Sequence, residues 1–82
     1  MTLDELKGEL AAILAEEHEA EINWTYVEFL SERTYVRLTE PGTSQDFPHE
    51  DVIGYLAGFN RRRWDNPFGE QQREWLRTFL QP

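Results

Sequence analysis

The chain has no cysteine, and only 8 of its 82 residues are lysine or arginine, against 16 aspartate or glutamate. Without cysteine, neither a disulfide nor a thiolate metal site can stabilise the fold. A domain of this size without such cross-links depends on close packing or on a second subunit. The sequence also lacks an apolar run of the roughly 20 residues that a membrane span needs. We therefore expect one small domain (residues 1–82) that does not cross a membrane.

The shortage of basic side chains also bears on partners. A protein that binds DNA or RNA directly normally neutralises phosphates with lysine and arginine, and the net charge here is −8. The first twenty residues are acidic and their apolar residues are spaced, whereas a secretory signal begins with basic residues and continues with an apolar run. We therefore expect a cytoplasmic protein with no direct nucleic-acid or membrane contact.

The charge that is present is sorted along the chain. Residues 1–32 carry nine acids and one lysine, for a net charge of −8. Residues 33–58 carry −2, and residues 59–82, with five arginines and three acids, carry +2. Such a polarised chain has an electrostatic direction that favours contact with another macromolecule or with a second copy of itself.

Local patterns predict an α+β fold in the order α-β-β-α-α. Thr2-Leu3-Asp4-Glu5 matches a capping box, and apolar residues at helical spacing predict a helix over residues 3–19. Residues 22–30 and 34–39 are rich in β-branched and aromatic residues, which favours an antiparallel hairpin. The alternative is an all-α fold of four short helices, because Thr25-x-x-Glu28 also fits a capping box and Ile22, Tyr26, Phe29 and Arg33 have helical spacing.

The second half of the sequence predicts a loop followed by two helices. Residues 40–47 contain Pro41-Gly42 and no periodic signal, which is typical of a loop. Asp46 is the predicted cap of a third element that ends in the arginines at 61–63. Asn66-Pro67 then predicts the start of the last helix, with Asn66 as its cap.

No pattern in the sequence specifies a reaction. The serines do not lie in a nucleophile elbow, and the glycines match neither phosphate-binding loop motif. His18 and His49 each have acidic neighbours, but such residues are common at helix ends. We therefore predict no catalytic residue, no metal site, no cofactor and no small-molecule substrate.

The strongest candidate for binding is the run Asn60-Arg61-Arg62-Arg63-Trp64. Arginine and tryptophan are enriched at protein interfaces, and three guanidiniums beside an indole suit an acidic partner. The predicted partner-binding residues are three arginines and a tryptophan in this run and two acids on the first helix: Arg61, Arg62, Arg63, Trp64, Glu16 and Glu17. The competing interpretation is a cationic helix end with Trp64 buried in the core.

These patterns lead to two functional hypotheses. The first is a non-enzymatic interaction or regulatory domain that binds a protein partner, or itself as a homodimer, through the Arg/Trp patch and an acidic helix face. The second is an acidic mimic of nucleic acid, in which the glutamates of the first helix occupy a basic nucleic-acid-binding protein.

Overall fold

All 82 residues are described by the computed structural model, which contains helices and no β-strand. The predicted α+β fold is therefore wrong, and the all-α alternative is right, with five helices in place of four. They are α1 (Leu3–Glu16), α2 (Trp24–Leu38), α3 (His49–Ala57), α4 (Phe59–Trp64) and α5 (Asn66–Leu80).

Helix α2 occupies the segment for which a hairpin was predicted. The side chain of Asn23 caps it by accepting a hydrogen bond from the backbone N–H of Tyr26 at 3.0 Å, so the cap lies two residues before Thr25. Its buried side recurs at helical spacing through Val27, Leu30 and Thr34. Burial of this side against the other helices outweighs the strand preference of its β-branched and aromatic residues, which is weak and depends on context.

The two ends of α1 differ in how well the sequence predicts them. The capping box is present: Thr2 Oγ1 accepts from the N–H of Glu5, and the Glu5 carboxylate accepts from the N–H of Thr2, both at 3.1 Å. The helix ends at Glu16, three residues earlier than predicted, and Glu17 is its C-cap. The capping box was therefore confirmed, whereas the C-terminal boundary was placed too late.

The segment after the loop forms two helices: α3 ends at Ala57, Gly58 lies at the junction, and α4 begins at Phe59. Pro48 precedes α3, with no side-chain cap, so the prediction of Asp46 as the cap was wrong. The cap of α5 is Asp65, whose carboxylate accepts from the N–H of Phe68 at 3.1 Å, one residue before the predicted Asn66.

The core lies where α2 meets α1, α3 and α4, and α5 closes it against α1 and α4. Ten apolar side chains are buried there: Leu6, Leu10, Ile13, Val27, Leu30, Phe47, Val52, Tyr55, Leu56 and Leu76. No helix combines the length and the apolar character that crossing a membrane requires. Helix α2 therefore contacts three other helices and leaves one side exposed.

Candidate protein-interaction surface on helix α2

Arg62, the centre of the predicted arginine patch, lies in the core. Its Nε and Nη2 donate to the two carboxylate oxygens of Glu17 at 2.9 and 3.0 Å, and both side chains are fully buried. Its Nη1 donates to the Gln72 side chain at 2.8 Å, and its guanidinium lies 3.8 Å from the centre of the Tyr55 ring. Arg62 and Glu17 are therefore inaccessible to any partner of the folded protein.

Glu17 collects further donors. Tyr55 Oη donates to it at 3.0 Å, and Arg73 Nη1 donates at 2.9 Å. Burial raises the pKa of the Tyr55 phenol well above its ordinary value, although the charge of Arg62 acts in the other direction. The Glu17 cluster (Glu17, Tyr55, Arg62, Gln72 and Arg73) thus joins the end of α1 to α3, α4 and α5. Its geometry is that of a buried ion pair with its polar atoms satisfied, which is a structural role.

The other predicted binding residues lie at the surface. Arg61 forms an ion pair with Asp65 at 3.4 Å. Arg63 has no ion pair, and its guanidinium lies 4.7 Å from the ring of Trp64, which is 74% exposed. Trp64 is thus not in the core, contrary to the competing interpretation. Glu16 accepts from the backbone N–H of Asn23 at 3.2 Å and lies near the junction of α1 and α2.

The two histidines make local contacts. His18 Nδ1 lies 2.9 Å from the carbonyl oxygen of Leu14, and its Nε2 lies 3.2 Å from Arg77 Nη2. The ring of His49 stacks on Phe47, with 4.0 Å between ring centres. These contacts place the two imidazoles on different parts of the molecule.

Most cations of the chain are used inside it. Six of the eight basic side chains form ion pairs, which leaves Lys7 and Arg63 without one. Ten carboxylates have no cationic partner: Asp4, Glu16, Glu19, Glu21, Glu28, Glu32, Glu40, Asp46, Glu50 and Asp51. The surface field is therefore negative, and Glu28 and Glu32 bring it onto α2.

Helix α2 also exposes apolar side chains. The solvent-exposed half of α2, called its outer face, carries four of the five large apolar side chains that the chain leaves exposed: Phe29 and Val36 lie along its middle, and Tyr26 and Tyr35 lie on its two flanks. Phe29 and Val36 are 56% and 59% exposed and are separated by two helical turns. The Tyr26 and Phe29 rings stack with 6.4 Å between their centres. Clustered exposure of this kind on one element is typical of an interaction site.

Two cavities that share Phe59 lie along the seam between α2 and the α3–α4 pair, and together they are called the trough. Its wide part, of about 360 Å³, is lined mainly by apolar side chains, among them Tyr35, Val36, Leu56 and Phe59. Phe59 also lines the narrow part, of about 70 Å³, together with Trp24, Glu28 and Arg63. Residues near the C-terminal end of α2 lie opposite α3, and residues near its N-terminal end lie opposite α4. The chain therefore runs in opposite directions along the two walls of the trough.

Ser31 contributes to the lining of the wide part, and its hydroxyl has no hydrogen-bond partner within the chain. Ser31 is 1% exposed, so the oxygen is withdrawn from bulk solvent. A helical serine usually satisfies itself by donating to the carbonyl oxygen four residues earlier, as Thr34 does to Leu30 at 2.8 Å. An unsatisfied buried hydroxyl costs about 1–3 kcal/mol, so Ser31 is a local cost to the stability of the fold.

Sequence reasoning missed this surface because the segment was interpreted as a hairpin. The available signal was the helical spacing of Ile22, Tyr26, Phe29 and Arg33, three of which face outward from α2. No family model, curated protein or solved structure matches this chain.

Proposed function

We propose that this chain is a non-enzymatic interaction domain that binds a protein partner through the outer face of α2 and the adjoining trough. The observation that carries the proposal is the clustering of Tyr26, Phe29, Tyr35 and Val36 on one helix whose opposite side is already buried. Covering such side chains removes apolar area from water, at about 25 cal/mol per Å².

The predicted Arg/Trp patch contributes to this proposal only in part. Arg62 and Glu17 are buried, whereas Arg63 lines the narrow end of the trough beside Trp24 and Glu28. Trp64 follows Arg63 at the end of α4 and is the most exposed aromatic side chain. Aromatic and arginine side chains together are typical of interface centres, so Arg63 and Trp64 remain candidate contacts at the edge of the surface.

The alternative, a mimic of nucleic acid, receives little support from α1. Two of its three glutamates are occupied: Glu5 and Glu9 pair with Arg37, and Glu9 also pairs with Arg33. Glu17, just after the helix, is enclosed by Arg62 and Arg73. A regular row of free carboxylates along α1 is therefore missing, and we develop the protein-interaction proposal alone.

The proposal is tested by removing apolar side chains from the outer face. We expect the double variant Phe29→Ser/Val36→Ser to lose at least about tenfold in affinity for its partner, because interface centres concentrate binding energy in a few side chains. The protein is immobilised, proteins captured from a lysate of its source cells are quantified, and light scattering measures whether the chain itself is the partner.

The matched control is Ala11→Ser/Ala15→Ser, which changes two exposed apolar residues on α1. A specific partner is one that wild type and control retain equally and that the α2 variant loses. Equal capture by all three proteins, with equal mass in light scattering, contradicts the proposal. Circular dichroism establishes that both variants stay helical.

A further inference from the structure

We infer that the trough between α2 and the α3–α4 pair receives a cationic amphipathic helix of the partner, with an apolar side chain over Leu56. This inference rests on the proposed function and specifies the chemistry of the partner. The shape of the trough and the charges along it each support one part of the assignment.

The shape suits a helix. The trough follows α2 from Val36 to Trp24, a distance of about 18 Å at the rise of an α-helix. Its walls are two helical elements of opposite direction, so a further helix laid between them packs as another member of the bundle. Amphipathic helices bind grooves of this kind through apolar side chains spaced three or four residues apart.

The charge along the α2 wall specifies a cationic occupant. Glu32 lines the wide part and Glu28 lines the narrow part, one helical turn apart, and neither has a cationic partner. Arg63, the one cation of the lining, lies at the narrow end beside Glu28. Lysine or arginine side chains of the occupant are therefore best placed opposite Glu32 and Glu28, in the middle of the trough.

A second copy of the chain suits the trough poorly. Each copy carries −8 and leaves only two cations without an ion pair, Lys7 on α1 and Arg63 on α4. The other six cations, all arginines of α2, α4 and α5, form ion pairs within the molecule. Electrostatic attraction therefore selects a basic partner over self-association.

The test uses a synthetic helical peptide of leucine and lysine, about 14 residues long so that it spans the trough. We expect it to bind the full chain, with nuclear magnetic resonance shifts concentrated at Ser31, Glu32, Leu56 and Phe59. The same peptide with glutamate in place of lysine is expected to show no binding. Binding of both peptides, or shifts spread over the whole surface, overturns the inference.

Two charge variants separate local attraction from net charge. Glu28→Gln/Glu32→Gln and Glu19→Gln/Glu21→Gln both remove two free carboxylates, but only the first pair lines the trough. We expect the first to weaken the peptide about fivefold and the second by less than about twofold, in the range of exposed charge pairs. If both variants weaken peptide binding equally, the affinity depends on the net charge of the protein and not on the carboxylates of the trough. That result overturns the assignment.

Two further variants test the trough itself. Ala57→Phe places a large side chain in the wide part, whereas Ala11→Phe makes the same change at an exposed position of α1. We expect a loss of at least about tenfold for the first and none for the second.

The outcomes distinguish this inference from the proposed function. If Phe29→Ser/Val36→Ser abolishes partner capture but Ala57→Phe leaves peptide binding and capture unchanged, the trough assignment is wrong and the proposed function stands. If the α2 double variant captures its partner like wild type, the proposed function is wrong, irrespective of how the peptide binds.

Discussion

Glu17 is the only acidic residue among the buried side chains, and its position shows how one residue holds several helices. Two guanidiniums and a phenol surround its carboxylate, from Arg62, Arg73 and Tyr55. Burying two opposite charges together costs desolvation that their attraction roughly offsets, whereas leaving one of them alone is strongly unfavourable. Glu17 and Arg62 are therefore interdependent.

Removing one member of this pair is expected to destabilise the fold. Glu17→Gln should lower the free energy of unfolding by about 3–5 kcal/mol, because it leaves the buried Arg62 without an anionic partner. Arg62→Met should cost less, because Arg73 still pairs with Glu17 at 2.9 Å. Urea unfolding followed by circular dichroism measures the loss. The control is Arg61→Met, whose exposed ion pair with Asp65 contributes at most about 1 kcal/mol.

A double variant, Glu17→Leu/Arg62→Met, extends the same experiment. We expect it to be less destabilised than the sum of the single variants, since neither charge remains unpaired. A loss in the single variants no larger than that of Arg61→Met contradicts the structural role assigned to the Glu17 cluster.

The break between α3 and α4 shows how an element boundary is fixed by its neighbours. A Cβ atom at Gly58 would lie 2.6 Å from the Gln72 side-chain oxygen and 2.9 Å from the carbonyl oxygen of Gly54. The same Gln72 oxygen accepts from Arg62. A side chain at position 58 therefore disturbs the Glu17 cluster through Gln72, which explains why a residue without Cβ stands at this junction.

Two glycines four residues apart provide a matched test. Gly58→Ala should destabilise the protein by about 1–3 kcal/mol through overpacking. Gly54→Ala, inside α3 with open space around its Cβ position, should stabilise it by about 0.5–1 kcal/mol. Thermal unfolding measures both, and a change of the same sign in the two variants contradicts the packing assigned to Gly58.

At the scale of the molecule, charge is arranged so that the few cations connect helices while carboxylates remain outside. Glu9 on α1 accepts from Arg33 and Thr34 on α2 at 2.9 and 3.2 Å and also pairs with Arg37. Burial alone would raise the pKa of Glu9, but the hydrogen bonds and charges of Arg33 and Arg37 outweigh it and hold the pKa below its ordinary value of 4.5.

This shift determines a pH dependence. The folded Glu9 carboxyl binds a proton less readily than the unfolded one, so its contribution to stability is complete above pH 4.5 and is lost as the pH falls through the lower folded pKa. Glu9→Gln should therefore lose less stability than wild type between pH 7 and pH 3, measured by urea unfolding at about these two values.

The control for this measurement is Glu19→Gln, which removes the same charge from an exposed residue without an ion pair. It should follow the wild-type pH dependence closely, because protonation of free carboxylates relieves repulsion in both proteins. If Glu9→Gln and Glu19→Gln show the same dependence, the α1–α2 ion pairs do not contribute to stability at neutral pH.

Local sequence alone predicted the features whose causes are local. The capping box of Thr2 and Glu5 needs only residues three apart, and it begins α1 at Leu3. The last helix was also located, because a polar cap before Pro67 acts within one turn. Composition in turn determined the negative net charge and the absence of a thiolate site.

Only the tertiary structure decided the identity of α2 and the fate of the candidate residues. The β-branched and aromatic residues of α2 suit a strand or a helix, and burial of Val27, Leu30 and Thr34 against other helices selected the helix. Glu17 and Arg62 are 45 residues apart, and no local signal shows that they meet. Propensity and capping act over a few residues, whereas burial depends on which distant elements the whole chain brings together.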